Sequence, residues 1–149
     1  MKFKLINEST ISEKEAQELI NKVYNTNNSR YDSNQFTKLI GSNKIWEMID
    51  NKALAVLDYN RLGLQDYYLN EIQSFEKGYG KKLLQELIKK YDILWFIADP
   101  SSDSNLVKYY EQFGLNEFVI EHTIWNKPVT AFYQGPSEIE DRIKEEYNA

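Results

Sequence analysis

The chain has 149 residues, of which 42% are hydrophobic and 28% charged, and its formal net charge is −5, a balance typical of one globular domain. The acidic balance argues against general nucleic-acid binding, and no apolar run approaches the roughly 18 residues of a membrane span. Having no cysteine and only His122 as histidine, the sequence excludes thiolate nucleophiles and Cys-rich or His-rich metal sites. We therefore expect the chemistry to use carboxylates, tyrosines, lysines and backbone groups, without a metal. We also expect a cytoplasmic protein, because residues 1–10 lack the apolar segment of a signal peptide.

The first third of the chain predicts one strand and two helices. Residues 2–6 alternate apolar and basic side chains, as a strand does. Ser12 begins a helix through a capping box, and a shorter helix is expected over residues 33–40. Residues 25–41 form either a connector or a lid over a substrate.

Three strands are predicted next, over residues 45–49, 53–59 and 66–74, with a short hairpin turn at residues 50–52. In the third strand, successive side chains point to opposite faces. One face carries Asp66, Tyr68, Asn70 and Ile72, and the other carries Tyr67, Leu69, Glu71 and Gln73. Because neither face is cleanly apolar, this strand either lines a cleft or lies in a partly solvated part of the sheet.

A turn with two glycines, Gly78 and Gly80, then leads into an amphipathic helix. Glycine allows a ligand to approach the backbone closely, and the start of a helix has unpaired N–H groups and a partial positive charge. The turn is therefore either a phosphate cradle or a place where the helix packs tightly on the strand. The apolar stripe of the helix consists of Leu83, Leu84, Leu87, Ile88 and Tyr91.

An apolar run at residues 92–98 predicts a strand that is covered on both faces. It completes a strand–helix–strand crossover, so its two strands should be parallel. The next helix should begin at Asp103 or Ser104 and end at Gly114. Its inward-facing residues are predicted to be Leu106, Tyr109, Tyr110 and Phe113.

A hairpin of residues 118–125 and 129–133 should follow, and then a peripheral C-terminal helix within residues 136–149. Only Ile139, Ile143 and Tyr147 mark the apolar side of this helix, so light packing is expected. The tryptophans at positions 46, 95 and 125 are expected in the core. We find no sign of a second domain and expect residues 1–149 to form one.

This order of elements, with a glycine turn after the fourth strand, resembles the GCN5-related N-acetyltransferase (GNAT) superfamily. The family signature Gln/Arg-x-x-Gly-x-Gly/Ala is matched by residues 75–80, with Phe75 at the first position. A second family pattern, Asn-x-x-Ala-x-x-Leu-Tyr-x-x-x-Gly-Phe, is matched by residues 103–115, with Asp103, Tyr110, Gly114 and Leu115 at the first, eighth, twelfth and thirteenth positions. The resemblance is good over residues 44–133 and implies an α/β fold with a mostly antiparallel mixed sheet, a parallel, splayed pair of fourth and fifth strands, and flanking helices.

The resemblance also implies acetyl-CoA as co-substrate. Its pyrophosphate would lie on the amides of residues 77–80, and its pantetheine arm along the fourth and fifth strands. Three lysines would add positive charge for the phosphates. The implied cofactor contacts are Ile72, Gln73, Phe75, Glu76, Lys77, Gly78, Tyr79, Gly80, Lys81, Lys82, Asp103 and Tyr110.

Amine acetylation requires a base to take the proton of the amine and a proton donor for the departing thiolate. By resemblance the donor is Tyr110. The base falls first on Asp66 and second on Glu71, with His122 or an ordered water as alternatives. Transfer should be direct, because no cysteine can carry an acyl group.

The sequence therefore predicts an acetyl-CoA-dependent N-acetyltransferase that acts on a primary amine of a small molecule, peptide or protein. Replacements at Phe75, Asp103 and Leu115 suggest an alternative, a catalytically degenerate interaction protein that binds CoA without turnover. A binder of acyl chains or of another nucleotide is a weaker alternative. A homodimer through residues 118–133 is possible, and neither nucleic acid nor membrane is an expected partner.

Overall fold

The structure, a computed structural model, describes residues 3–7, 18, 21, 44–50, 52–74, 76–98, 104–121 and 123–147. The strands described are β1 (Phe3–Asn7), β2 (Lys44–Ile49), β3 (Ala53–Tyr59), β4 (Tyr67–Ser74), β5 (Leu94–Ile97), β6 (Asn116–Ile120) and β7 (Val129–Gln134). The helices whose bounds are described are α1 (Tyr79–Lys90), α2 (Ser104–Glu111) and α3 (Glu138–Tyr147). Glu18 and Asn21 are helical, as the capping box at residue 12 predicts, and the helix expected at residues 33–40 lies outside the described residues.

The strands form one mixed sheet in the order β1-β2-β3-β4-β5-β7-β6. Strands β4 and β5 are parallel, with Tyr67 opposite Leu94 and Tyr68 opposite Trp95. The pairs β1–β2, β2–β3, β5–β7 and β6–β7 are antiparallel. This arrangement confirms the predicted mixed sheet and its strand–helix–strand crossover.

The chain divides into two compact units. The first unit comprises Met1–Tyr59 and Leu69–Lys90, and the second comprises Asn60–Tyr68 and Tyr91–Ala149. Each unit consists of two separate stretches of sequence. The boundary at residues 68 and 69 lies within β4, whose first two residues belong to the second unit and whose other residues belong to the first.

The core of the first unit lies between the hairpin of β2 and β3 and helix α1, which packs on both strands. Leu83, Leu84 and Leu87 on the predicted stripe are at most 1% exposed, and burial of each side chain contributes roughly 1.5–3 kcal/mol. The hairpin turn is closed by Lys52 N, which donates to Ile49 O at 2.8 Å. The predicted hairpin and amphipathic helix are therefore confirmed.

The second unit is built on both faces of β5. Trp95 is fully buried in a cluster that includes the apolar side of α3, whereas Phe96 stacks on Phe132 with ring centroids 5.4 Å apart. In α3, Ile139 and Ile143 are 0% exposed and Tyr147 is 5% exposed. The C-terminal helix therefore packs more closely than its three apolar residues predicted.

Helix α3 is also joined to the loop between β3 and β4. Arg142 Nη2 donates to Leu62 O at 2.6 Å, and Arg61 Nε donates to Glu146 Oε1 at 2.7 Å. The Arg61 guanidinium lies 4.4 Å from the centroid of the Tyr68 ring, a cation–π distance. These contacts tie residues 60–68 to the last helix of their own unit.

The predicted end of strand β6 and the predicted burial of Trp125 are both wrong. Strand β6 ends at Ile120 instead of Trp125, because the chain turns at Thr123, whose Oγ1 donates to Lys127 O at 2.6 Å and accepts from Trp125 N at 3.2 Å. Trp125 is consequently 40% exposed instead of lying in the core.

Tyr109, predicted to face inward, is 39% exposed, while Trp46 and Trp95 are buried as expected. Among the described residues, no helix is long and apolar enough to cross a membrane.

Candidate functional site

Ser74, the last residue of β4, organises the glycine turn. Its Oγ donates to Glu76 O at 2.5 Å and accepts from Gly80 N at 3.1 Å. A Cβ atom at Gly80 would lie 3.1 Å from Ser74 Cβ, so only glycine lets the helix approach the strand this closely without a shift. The packing interpretation of Gly80 is therefore supported, and its amide is used inside the turn.

The backbone around Gly78 prepares the start of α1. Gly78 has a φ of +88°, in the left-handed region that favours glycine. Tyr79 N donates to Glu76 O, and Lys82 N makes the first helical hydrogen bond to Gly78 O, both at 3.2 Å. Within the described part of the chain, no partner is recorded for the amides of Lys77, Gly78 and Lys81. Unpaired amides at the positive end of a helix dipole form an anion-binding site.

The side chains around this turn are mostly basic. Lys52, from the β2–β3 turn, places Nζ 2.9 Å from Oε1 and 3.0 Å from Oε2 of Glu76. That hydrogen bond raises the pKa of Lys52, so the ammonium remains charged. The Nζ atoms of Lys52 and Lys82 lie 5.2 and 4.4 Å from the centroid of the Tyr79 ring. Positive charge is therefore concentrated beside the unpaired amides.

Asp66, the first candidate for the base, is 0% exposed. Its Oδ1 accepts from the amides of Leu62 and Leu64 at 3.0 and 3.2 Å, and its Oδ2 accepts from Trp95 Nε1 at 2.8 Å. The carboxylate closes the loop of residues 60–66 and ties it to β5. These contacts give Asp66 a structural role, and its burial keeps an amine in solution away from it.

Tyr110, the candidate proton donor, is half-buried on α2. Its ring centroid lies 4.7 Å from that of Phe96 and 5.6 Å from that of Phe132. Trp95 and Phe96 are successive residues of a strand, so their side chains point to opposite faces. Asp66, which binds Trp95, and Tyr110, which packs on Phe96, therefore contact opposite faces of β5, and the structure does not bring this predicted acid and base together.

No family model and no curated protein matches the chain, whereas solved structures do. A GNAT-family acetyltransferase from Bacillus cereus ATCC 10987 is 14% identical, with 90% of this chain and 97% of that chain covered and a TM-score of 0.53. Aminoglycoside 6′-acetyltransferase type Ii is 12% identical, with 90% of this chain and 96% of that chain covered and a TM-score of 0.56. Arabidopsis thaliana NAA60, solved in complex with acetyl-CoA, is 11% identical, with 91% of this chain and 99% of that chain covered and a TM-score of 0.50.

The chain has the GNAT fold. The match extends over about nine-tenths of the sequence. The parallel pair of this GNAT fold is β4 and β5, and the glycine turn follows β4 directly.

Three other predicted site residues lie half-buried on β4, namely Glu71, Ile72 and Gln73. With Asp66 bound in its loop, Glu71 is the remaining acidic candidate on this strand. Phe75, Asp103 and His122 lie outside the described residues.

Sequence reasoning missed two residues that contact the glycine turn from other elements, Ser74 and Lys52. A serine six residues before a glycine has no recognised signature, although a hydroxyl beside a glycine turn is a weak signal for a side chain that bonds to the backbone. Lys52 pairs with a residue 24 positions away, and no local pattern indicates such a contact.

Proposed function

We propose that the chain is an acetyl-CoA-dependent N-acetyltransferase that transfers the acetyl group directly to a primary amine. The observation that carries the proposal is the turn before α1, where unpaired amides and lysines lie together on a GNAT fold. Arabidopsis NAA60, with the same fold, was solved with acetyl-CoA, which supports this cofactor.

The pyrophosphate of acetyl-CoA is held by the amides of Lys77, Gly78 and Lys81. The Gly80 amide does not contribute to this site, because it already donates a hydrogen bond to Ser74 Oγ. The exposed side chains of Lys77 and Lys81 add charge for the phosphates. Ile72 and Gln73, near the end of β4, contact the pantetheine arm.

In the reaction, the neutral amine attacks the thioester carbonyl, an N–C bond forms and the C–S bond breaks. Tyr110 donates its phenolic proton to the departing thiolate, and its ring is fixed for this role by Phe96 and Phe132. Glu71 takes the proton of the amine, directly or through water, in place of the buried Asp66. The products are an amide and CoA.

The first experiment is a calorimetric titration with acetyl-CoA, CoA and ATP in separate runs. Micromolar binding of acetyl-CoA and CoA with no heat from ATP supports the proposal, and a screen of primary amines for acetylated products by mass spectrometry then tests turnover. Binding of none of the three contradicts it.

A CoA-binding protein without turnover is a second candidate, favoured by the structural use of Asp66. It predicts binding of acetyl-CoA with no acetylated product in any amine class of the screen.

A further inference from the structure

The Lys52–Glu76 ion pair stands directly beside the proposed phosphate site. Both carboxylate oxygens of Glu76 face the same ammonium, at 2.9 and 3.0 Å. The two side chains are 37% and 51% exposed, and ion pairs at such exposure contribute little to stability. The pair can therefore open at little cost to the stability of the fold.

A second ammonium contacts the same aromatic ring as the first. Lys52 and Lys82 come from different elements, yet their Nζ atoms lie 5.2 and 4.4 Å from the same Tyr79 ring. Cation–π attraction holds each ammonium near the ring, although the two like charges repel each other. Glu76 neutralises one of them, and a dianion that binds both lysines would neutralise both.

We propose that Lys52 and Lys82 bind the 3′-phosphate of acetyl-CoA, and that Glu76 occupies Lys52 in the free protein as an internal competitor. This inference rests on the proposed function. The turn amides donate hydrogen bonds to the pyrophosphate, which leaves these two side chains for a phosphate away from the backbone. A phosphate monoester carries about −1.5 to −2 charges at pH 7 and offers three acceptor oxygens, more than the single charge and two oxygens of Glu76.

Displacement of Glu76 requires only a side-chain movement. Its carboxylate is exposed, so it can be hydrated when the phosphate takes Lys52. The bonds that form are charge-assisted N–H···O bonds, which are stronger than neutral ones. Since all three groups are near the surface, binding of the 3′-phosphate should weaken as the salt concentration rises.

The test compares binding of acetyl-CoA with that of 3′-dephospho-acetyl-CoA by calorimetry. Lys52→Met should weaken acetyl-CoA binding by roughly ten- to hundredfold, the range for charged hydrogen bonds, and leave the dephospho form unchanged. Glu76→Gln should tighten binding of acetyl-CoA, because the competitor is gone, again with no change for the dephospho form.

A matched control lies at the other end of the same helix, where Lys89 Nζ is 3.7 Å from Glu86 Oε1. Lys89→Met and Glu86→Gln change the net charge by the same amounts and should alter the affinity for neither form. Thermal unfolding of all four variants checks that each is folded.

Three results would overturn the inference. They are an equal loss for both cofactor forms with Lys52→Met, no loss for either form, or weaker acetyl-CoA binding with Glu76→Gln. If the wild type binds the dephospho form but Lys52→Met has no selective effect, the proposed function stands and the 3′-phosphate assignment fails. If the wild type binds neither form, the proposed function itself fails, and the inference fails with it.

Discussion

Trp95 Nε1 donates a hydrogen bond to Asp66 Oδ2 at 2.8 Å, and both residues are 0% exposed. The same carboxylate accepts from the amides of Leu62 and Leu64. A buried donor that lacks its acceptor destabilises the folded state by roughly 1–3 kcal/mol. The Asp66 carboxylate therefore avoids this cost for more than one donor. These contacts indicate that Asp66 fixes the start of β4 and does not act as the base.

Asp66→Ala should therefore lower the free energy of unfolding by roughly 3–5 kcal/mol, because three N–H groups, two of them buried, lose their acceptor. Urea unfolding monitored by tryptophan fluorescence measures the change. Asp92→Ala, at an exposed acidic residue in the same unit, should change the value by no more than about 0.5 kcal/mol. Equal effects of the two substitutions would remove the structural role assigned to Asp66.

Gly80→Ala should destabilise the protein by about 1 kcal/mol, because overpacking against Ser74 Cβ outweighs the better helix propensity of alanine. Ser74 is held by two hydrogen bonds and yields little. In a Ser74→Gly background the Cβ is absent, so the same change should be neutral or stabilising. The measurement is a double-mutant cycle in urea, and an identical cost in both backgrounds would disprove the contact argument.

Tyr110→Phe should reduce kcat by roughly 10²- to 10⁴-fold, the usual contribution of a positioned acid. KM for acetyl-CoA should stay within about twofold, since the ring and its contacts with Phe96 and Phe132 remain. Tyr109→Phe, at the exposed neighbouring residue, is the matched control and should retain full kcat. Unchanged turnover in Tyr110→Phe would show the mechanism to be wrong even though the fold is right.

Glu71→Gln should reduce kcat/KM by at least roughly 10²-fold, since the amide cannot take the proton of the amine. Glu117→Gln, an exposed acid of the second unit, should leave kcat/KM unchanged. A wild-type value of kcat/KM in Glu71→Gln would leave an ordered water as the base.

Alkaline pH should lower the stability of the protein through Tyr147. Burial, then the neighbouring Tyr68, raises the pKa of Tyr147 in the folded state. Because the unfolded tyrosine loses its proton near pH 10, the stabilisation is complete below that pH and is lost as the pH rises above it. Tyr147→Phe should therefore lose less stability than the wild type between pH 8 and pH 11 in urea titrations, and an equal loss would contradict the assignment.

The spacing of apolar residues along the sequence predicted the helices and strands that depend on this spacing alone. The stripe of Leu83, Leu84 and Leu87 and the apolar run before residue 98 led to α1, β5 and the parallel pair. The end of β6 was missed because alternation continues past Ile120, while a single hydroxyl, that of Thr123, turns the chain.

The site was less predictable than the fold, since its chemistry depends on partners far away in sequence. Asp66 has the residue type of a base, and only its contact with Trp95, 29 positions away, gives it a structural role. Lys52 reaches Glu76 across 24 positions. The glycine pattern located the turn correctly, but which amide it leaves unpaired depends on the position of Ser74 Oγ.

The contacts between residues 60–68 and α3 have a consequence for synthesis of the protein in the cell. Arg61 and Glu146 are separated by 85 positions and Arg142 and Leu62 by 80. At roughly 5–20 residues per second, the ribosome needs about 4–17 s to add the partner of Arg61. During that interval residues 60–68 lack the helix to which they bond, so this loop can be fixed in place only after the last helix has been synthesised.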